Sequence, residues 1–431
     1  MKTLIENGRV IDPVSGRDEV AHVAIAAGRV VSVGPVPEGF TPTRVVNASG
    51  HWVLPGLVDL SVRLREPGHE HEGMLESEMQ AAVTGGVTSL VCPPDTDPVL
   101  DEPGLVEMLK FRAEKLHQAR VFPLGALTRG LQGQALTEMA ELTESGCVGF
   151  SQAEHALVDT QVLSRAMQYA ATFGYTIWLR PQDAWLGKGV AASGALATRM
   201  GLSGVPVGAE LIALHTIFEL MRSTQARVHL CRISSAAGLQ LVRQAKADGL
   251  PVTCDVSVHN LHLIDVDMGY YDARARLTPV LRQDVDRKAL RAGLADGTID
   301  ALVSDHNPVD ADSKNLPFAE AEPGATAVEL LASLALKWAN EDQVSPLRAV
   351  ATLTSGPAAV LGGALGTLEA SAGRIVEGGV ADLCVFDPHA TRVITPGALR
   401  SQGKHSPFMG QELAGEVRAT WVNGHPAYVA G

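Results

Sequence analysis

Leu57-Val58-Asp59-Leu60-Ser61-Val62-Arg63-Leu64-Arg65-Glu66-Pro67-Gly68 opens on apolar residues and closes in a Pro-Gly turn. It reads as a short buried strand ending in a turn. Side chains alternate across a strand, so Ser61 and Arg63 fall on one face.

From Pro55 onward the same grammar repeats: buried strand, loop, amphipathic helix. Eight candidate strands lie at 57–63, 87–92, 120–126, 147–151, 175–180, 227–232, 251–256 and 300–305. Helical stretches such as 105–115, 160–172, 209–222, 238–247 and 286–295 separate most of them. Eight alternations predict an α/β fold, a closed (β/α)8 TIM-type barrel over residues 55–364, rather than an open sheet.

Outside the barrel the pattern is different. Residues 1–54 alternate apolar and polar positions between Asn7-Gly8, Pro13, Gly28 and Gly34, and β-type alternation returns in 365–431. Each segment alone is too small to bury an apolar face. The two are expected to pair as a small composite β-sandwich appendage built from both termini.

Composition narrows the function class. The 431 residues are 46% hydrophobic and 19% charged, which suits a globular chain with a large core. A formal net charge of −13 argues against a nucleic-acid partner, which would require a basic patch. Cys92, Cys147, Cys231, Cys254 and Cys384 are widely spaced, with no Cys-x-x-Cys pair, and are read as reduced. No signal peptide and no run of eighteen apolar residues is evident, so a soluble, cytoplasmic protein is expected.

Several motifs then carry a resemblance: Pro55-Gly56-Leu57-Val58-Asp59-Leu60, Leu64-Arg65-Glu66-Pro67-Gly68, Pro94-Asp95-Thr96-Asp97-Pro98, Ile233-Ser234-Ser235-Ala236, Ser304-Asp305-His306-Asn307-Pro308, Ala381-Asp382-Leu383-Cys384-Val385-Phe386-Asp387-Pro388 and Lys404-His405-Ser406-Pro407-Phe408. In order and across almost the whole chain, they resemble a dihydroorotase of the long, amidohydrolase-barrel type. The resemblance implies a zinc centre at the C-terminal mouth of the barrel, where the metal activates a water and an aspartate moves the proton.

The ligands that the resemblance implies are largely replaced. Ser61 and Arg63 stand at the His-x-His positions, Ala153 at the fourth-strand carboxylate, and Arg180 and Arg232 at the fifth- and sixth-strand histidines. Only Asp305 remains. Arginine stays protonated at any pH a protein survives and cannot donate to a metal. A unit charge about 4 Å from another is worth roughly 4 kcal/mol at an effective dielectric near 20, and a divalent ion doubles the repulsion. For the substrate carboxylate, Arg65 is kept, but Asp95 replaces an asparagine and Val309 a histidine.

Two readings of the arginines stay open. Arg63, Arg180 and Arg232 converge on Asp305 with Glu154 or Asp183 as a charged plug, the preferred reading, or they form a cationic pocket for an anion. His69, His71, His259, His262 and His306 are each read as surface or hydrogen-bonding residues rather than ligands. Cys231, next to Arg232 on a strand, is expected to face the helix shell.

These readings predict a pseudoenzyme: a metal-free dihydroorotase homologue with vestigial Asp305 and His306 and vestigial substrate-binding Arg65 and Asp95, without cofactor. The resemblance implies a role as structural partner of aspartate transcarbamoylase, at least dimeric within a hetero-oligomer, with no nucleic acid and no membrane. The alternative is an active zinc-dependent dihydroorotase or other cyclic-amide hydrolase with an atypical metal site.

Overall fold

The computed structural model describes residues 2–430. Eight parallel strands form the barrel: Leu57–Asp59, Val87–Cys92, a third broken at Leu124 into Arg120–Pro123 and Gly125–Ala126, then Phe150–Ser151, Thr176–Leu179, Arg227–Leu230, Val252–Ser257 and Ala301–Val303. A parallel bridge between Val62 and His306 closes the ring.

Alternation sorts the strand residues into two cores. Val58, Val91, Leu124, Val148, Trp178, Ala301 and Val303 pack together inside the barrel, with Leu361 and Leu365 closing the far end. Their neighbours Leu57, Leu90, Phe150, Ile177, Leu230 and Val256 pack outward against the helices. Gly149 makes room for the interior indole, since a Cβ there would come within 2.5 Å of Trp178 Nε1.

The first strand is shorter than the alternation predicts, and one side chain explains it. Asp59 is wholly buried, and its Oδ1 accepts the N–H groups of Ser61 and Ser304, each at 3.2 Å. Burial pushes its carboxyl up to about 7. This turn ends the ladder at Asp59 and swings Ser61-Val62-Arg63 toward the last strand. There Arg63 N donates to His306 O at 2.9 Å and His306 N donates to Ser61 O at 3.1 Å.

The appendage is one continuous eight-stranded sheet. Trp52–Pro55 pairs with Leu383–Phe386 in antiparallel register, joining the N-terminal strands to the C-terminal ones. Ile5, Val10, Val23, Val53, Val385 and Trp421 form its core. Asn7-Gly8, a turn signal in the sequence, is instead a bulge inside the strand Lys2–Asp12, where the register shifts between Ile5 and Gly8. A Cβ at Gly8 would meet Val53 Cγ2 at 2.4 Å, so glycine lets the neighbouring strand close in.

The apolar stretch 346–368 is broken into the helices Pro346–Ala351 and Ser355–Leu361 and a 3-10 segment, packed under the barrel.

Candidate functional site at the barrel mouth

The strand ends do not simply stop; they turn. Arg65, Ala153, Arg232 and Asp305 all take positive φ, between 49° and 61°, at the mouth. Left-handed backbone is uncommon for such residues and clusters where a fold aims side chains at a site. It also breaks strand alternation, which corrects the expectation for Cys231. That residue packs with the barrel interior, not the helix shell, while Arg232 turns into the mouth. The Cys231 thiol is pushed well above its usual range by burial and by Asp255.

Glu154 is the hub of the mouth. Arg63 Nη2 donates to Glu154 Oε1 at 2.9 Å, Arg232 donates to the same oxygen, and Arg180 pairs with Oε2. Burial raises the Glu154 carboxyl, but Arg232, Arg180 and Arg63 outweigh it and hold the group far below the usual carboxylate range. Arg63 Nε also reaches Asp95 at 2.9 Å, and Arg232 Nη1 reaches Asp305 at 2.9 Å. Ser61 Oγ sits 3.5 Å from Asp305. Asp183 takes no part; its Oδ1 accepts the backbone N–H groups of Trp185 and Leu186.

The substrate-carboxylate positions are also occupied. Arg65 Nε lies 2.7 Å from Glu72 Oε2 and donates to Pro308 O at 2.9 Å, and its Nη2 lies 3.3 Å from Glu322. Val309 is buried. Ala153 packs on Ala126 and Leu131, offering no oxygen.

His306 points away from the mouth. Its Nε2 lies 2.8 Å from Glu78 Oε2, and its Nδ1 accepts the N–H groups of Ala327 and Val328. Glu78, fully buried, also receives the Ser401 hydroxyl at 2.5 Å and Gln402 N at 2.8 Å. Burial raises that carboxyl, but the bonds from His306, Ser401 and Gln402 hold it below its usual value. His259 and His262 are buried against Phe408, and burial lowers them to about 4 and about 3.

A cavity of about 360 Å³ lies over this network, lined by Arg63, Arg180, Arg232, Arg276, Glu154 and Glu322 among others. A larger one, about 720 Å³, lies at the opposite end of the barrel near Arg120 and His425, away from the strand ends that carry chemistry in such barrels.

The strand-end positions do not fit a metal: they offer a hydroxyl, a methyl and three guanidiniums where electron-pair donors are needed. Two other groups do bring donors within 4.8 Å of one another, His229-Cys231-Asp255 and His71-Glu72-Asp310. In the first, both His229 nitrogens are engaged, with Thr253 at 2.8 Å and Asp255 at 2.9 Å. The rim group fits a divalent cation better, having two carboxylates and an exposed imidazole. Glu72 there is pushed up to about 7 by burial, with Glu322 and Asp310 adding to the rise and Arg65 opposing it. The His69-Glu70-His71-Glu72 run is the one sequence signal of this group and by itself reads as a polar loop, because Asp310 joins it from a distant segment of the chain.

Comparison with known proteins places these features. The family described as Dihydro-orotase-like matches residues 50–237, and the Amidohydrolase family matches 214–427. A "Dihydroorotase-like protein" of Pseudomonas aeruginosa is 42% identical over 99% of both chains. A "Dihydroorotase" of Anaeromyxobacter sp. is 39% identical over 99% of this chain and 98% of its own. Among solved structures, the L-hydantoinase of Arthrobacter aurescens superposes with a TM-score of 0.88 at 22% identity, covering 100% of this chain and 96% of that one.

Two expectations are corrected here. The expectation of no enzymatic activity is overturned by full-length relatives named dihydroorotase. The expectation of no metal is overturned by membership of a typically metal-dependent group together with the donor groups just described. Both corrections have one physical source: donor groups gather in the loops above the strand ends as well as at the strand ends themselves. Matched from end to end at this identity, the chain belongs to the dihydroorotase-like family of amidohydrolases.

Proposed function

We propose that this chain is a cyclic-amide hydrolase of the dihydroorotase type working with a rebuilt site. The observation that carries the reading is the mouth cavity of about 360 Å³, at the strand ends of a chain aligned over its whole length with proteins named dihydroorotase. Its guanidinium wall favours negative charge developing on an amide oxygen. A divalent cation, when bound, would be held by His71, Glu72 and Asp310 and would supply Lewis-acid polarisation and a more acidic water.

Dihydroorotate and hydantoin turnover, with metal content measured on the same purified peak, tests this. Turnover is expected, weakened about tenfold or more in Glu72→Gln together with the divalent-metal content. Asp310→Asn is expected to lower the divalent-metal content. No turnover of either cyclic amide, with zinc, cobalt or manganese supplied, overturns the reading.

We also propose that the chain associates with aspartate transcarbamoylase, the partner implied by the resemblance. A groove of mixed polarity beside the mouth carries three exposed apolar side chains, Val158, Trp185 and Ile212, with Trp185 70% exposed, and these support a docking role. Exposed patches of this kind mark interaction surfaces. On co-expression and sizing, both chains are expected in one peak, with Trp185→Glu returning this chain to a free fraction. Separate peaks for the unmodified pair exclude the association.

A further inference from the structure

Six cations line the mouth cavity, Arg63, Arg65, Arg180, Lys188, Arg232 and Arg276, against three carboxylates, Asp95, Glu154 and Glu322. Asp305 and Glu72 stand behind this wall, already paired with Arg232 and Arg65. Four of the six cations are therefore engaged by carboxylates. Among the described residues, the other two are not.

Arg276 is half-buried. Its Nη1 reaches only the carbonyl of its neighbour Leu277, at 3.4 Å, and its buried Nε has no partner. Burial alone lowers its pKa, with no carboxylate acting against it. Behind it, Lys314 is buried and donates to the carbonyls of Arg276 and Ala273, both at 3.1 Å, and so supplies no acceptor to the guanidinium. Lys188 lies across the cavity lining on an exposed loop, its Nζ 4.1 Å over the Trp185 ring.

A buried guanidinium nitrogen without an acceptor is costly, and such groups are satisfied by protein, water or ligand. The planar guanidinium matches the geometry of a carboxylate or a phosphate, and the low-dielectric wall strengthens the attraction. The positions that the resemblance assigns to a substrate carboxylate are closed here, because Arg65 is fully engaged, Asp95 is anionic and Val309 is apolar.

We propose that the mouth cavity is a binding site for a small oxyanion, a carboxylate or phosphate group, held by Arg276 and steered by Lys188. The site stands on the mouth geometry and does not require turnover, so it survives or fails separately from the hydrolase reading.

Calorimetric titration of the full chain at fixed ionic strength, with inorganic phosphate, malonate and succinate as probes, tests it. Saturable heat is expected with at least one probe, and the preferred probe distinguishes phosphate from dicarboxylate ligands. Arg276→Gln is expected to weaken binding about tenfold or more, a difference of about 1.4 kcal/mol. Lys188→Met is expected to weaken it about threefold, and Arg129→Gln, on a distant exposed arginine, to leave it unchanged. No saturable heat with any probe, or Arg276→Gln titrating like the unmodified chain, overturns the site. Should Arg276→Gln fail to fold, Lys188→Met decides, since that side chain is exposed; binding equal to the unmodified protein counts against the proposal.

Discussion

Glu78→Ala is expected to destabilise the protein by about 4 kcal/mol, the range seen when one partner of a buried ionic network is removed. The residue lies in the helix Leu75–Thr84 and is wholly inaccessible. Its carboxylate gathers the side chain of His306 from the end of the last barrel strand and the Ser401-Gln402 segment from the C-terminal region. Alanine would leave the His306 Nε2 and the Ser401 hydroxyl without acceptors, each a further desolvation cost. Urea unfolding at pH 7 measures the loss. The sign of the pH dependence follows from the lowered carboxyl: its contribution is present above the unfolded pKa and is lost as pH falls through the folded one. The gap between Glu78→Ala and the unmodified protein should therefore narrow in acid. A loss below about 1 kcal/mol would show that the network is replaced by water.

Glu154→Gln comes next. Glutamine keeps an oxygen but removes the charge that Arg63, Arg180 and Arg232 share. Three guanidiniums would then face only Asp95 and Asp305. The side chain is 30% exposed, so water screens part of the penalty, and a loss of about 2 to 3 kcal/mol is expected, below the full cost of breaking a buried pair. A second consequence separates this mechanism from simple loss of packing. Added phosphate should stabilise the variant more than the unmodified protein, because an anion can take the vacated place. Equal stabilisation of both would point to packing instead.

The barrel was legible because strand and helix periodicities differ and eight alternations leave little choice of architecture. The replaced residues all fall at strand ends, which points to arginines meeting there around Asp305; the structure gathers Arg63, Arg180 and Arg232 on Glu154 instead, and of the three only Arg232 pairs with Asp305. What escaped was set by backbone turns and long-range pairing. Alternation placed Cys231 outside, but the left-handed turn at Arg232 puts both neighbours to use on the inner side. His306 follows the surviving aspartate in sequence, yet the turn at Asp305 sends its ring to Glu78 and away from the mouth. Arg276 carries no signal of its own in the sequence, because sequence shows a charge but not the lack of a counter-charge.

The pairing of Trp52–Pro55 with Leu383–Phe386 has a consequence for biogenesis. Those four residues are made early, and their partners emerge only after the entire barrel has left the ribosome. Until then the N-terminal strands expose an unpaired edge, the kind of template that recruits other nascent chains. Truncation within the last strands would make that transient exposure permanent. The seam between the two termini thus serves as a completeness check, one that only a fully synthesised polypeptide can satisfy.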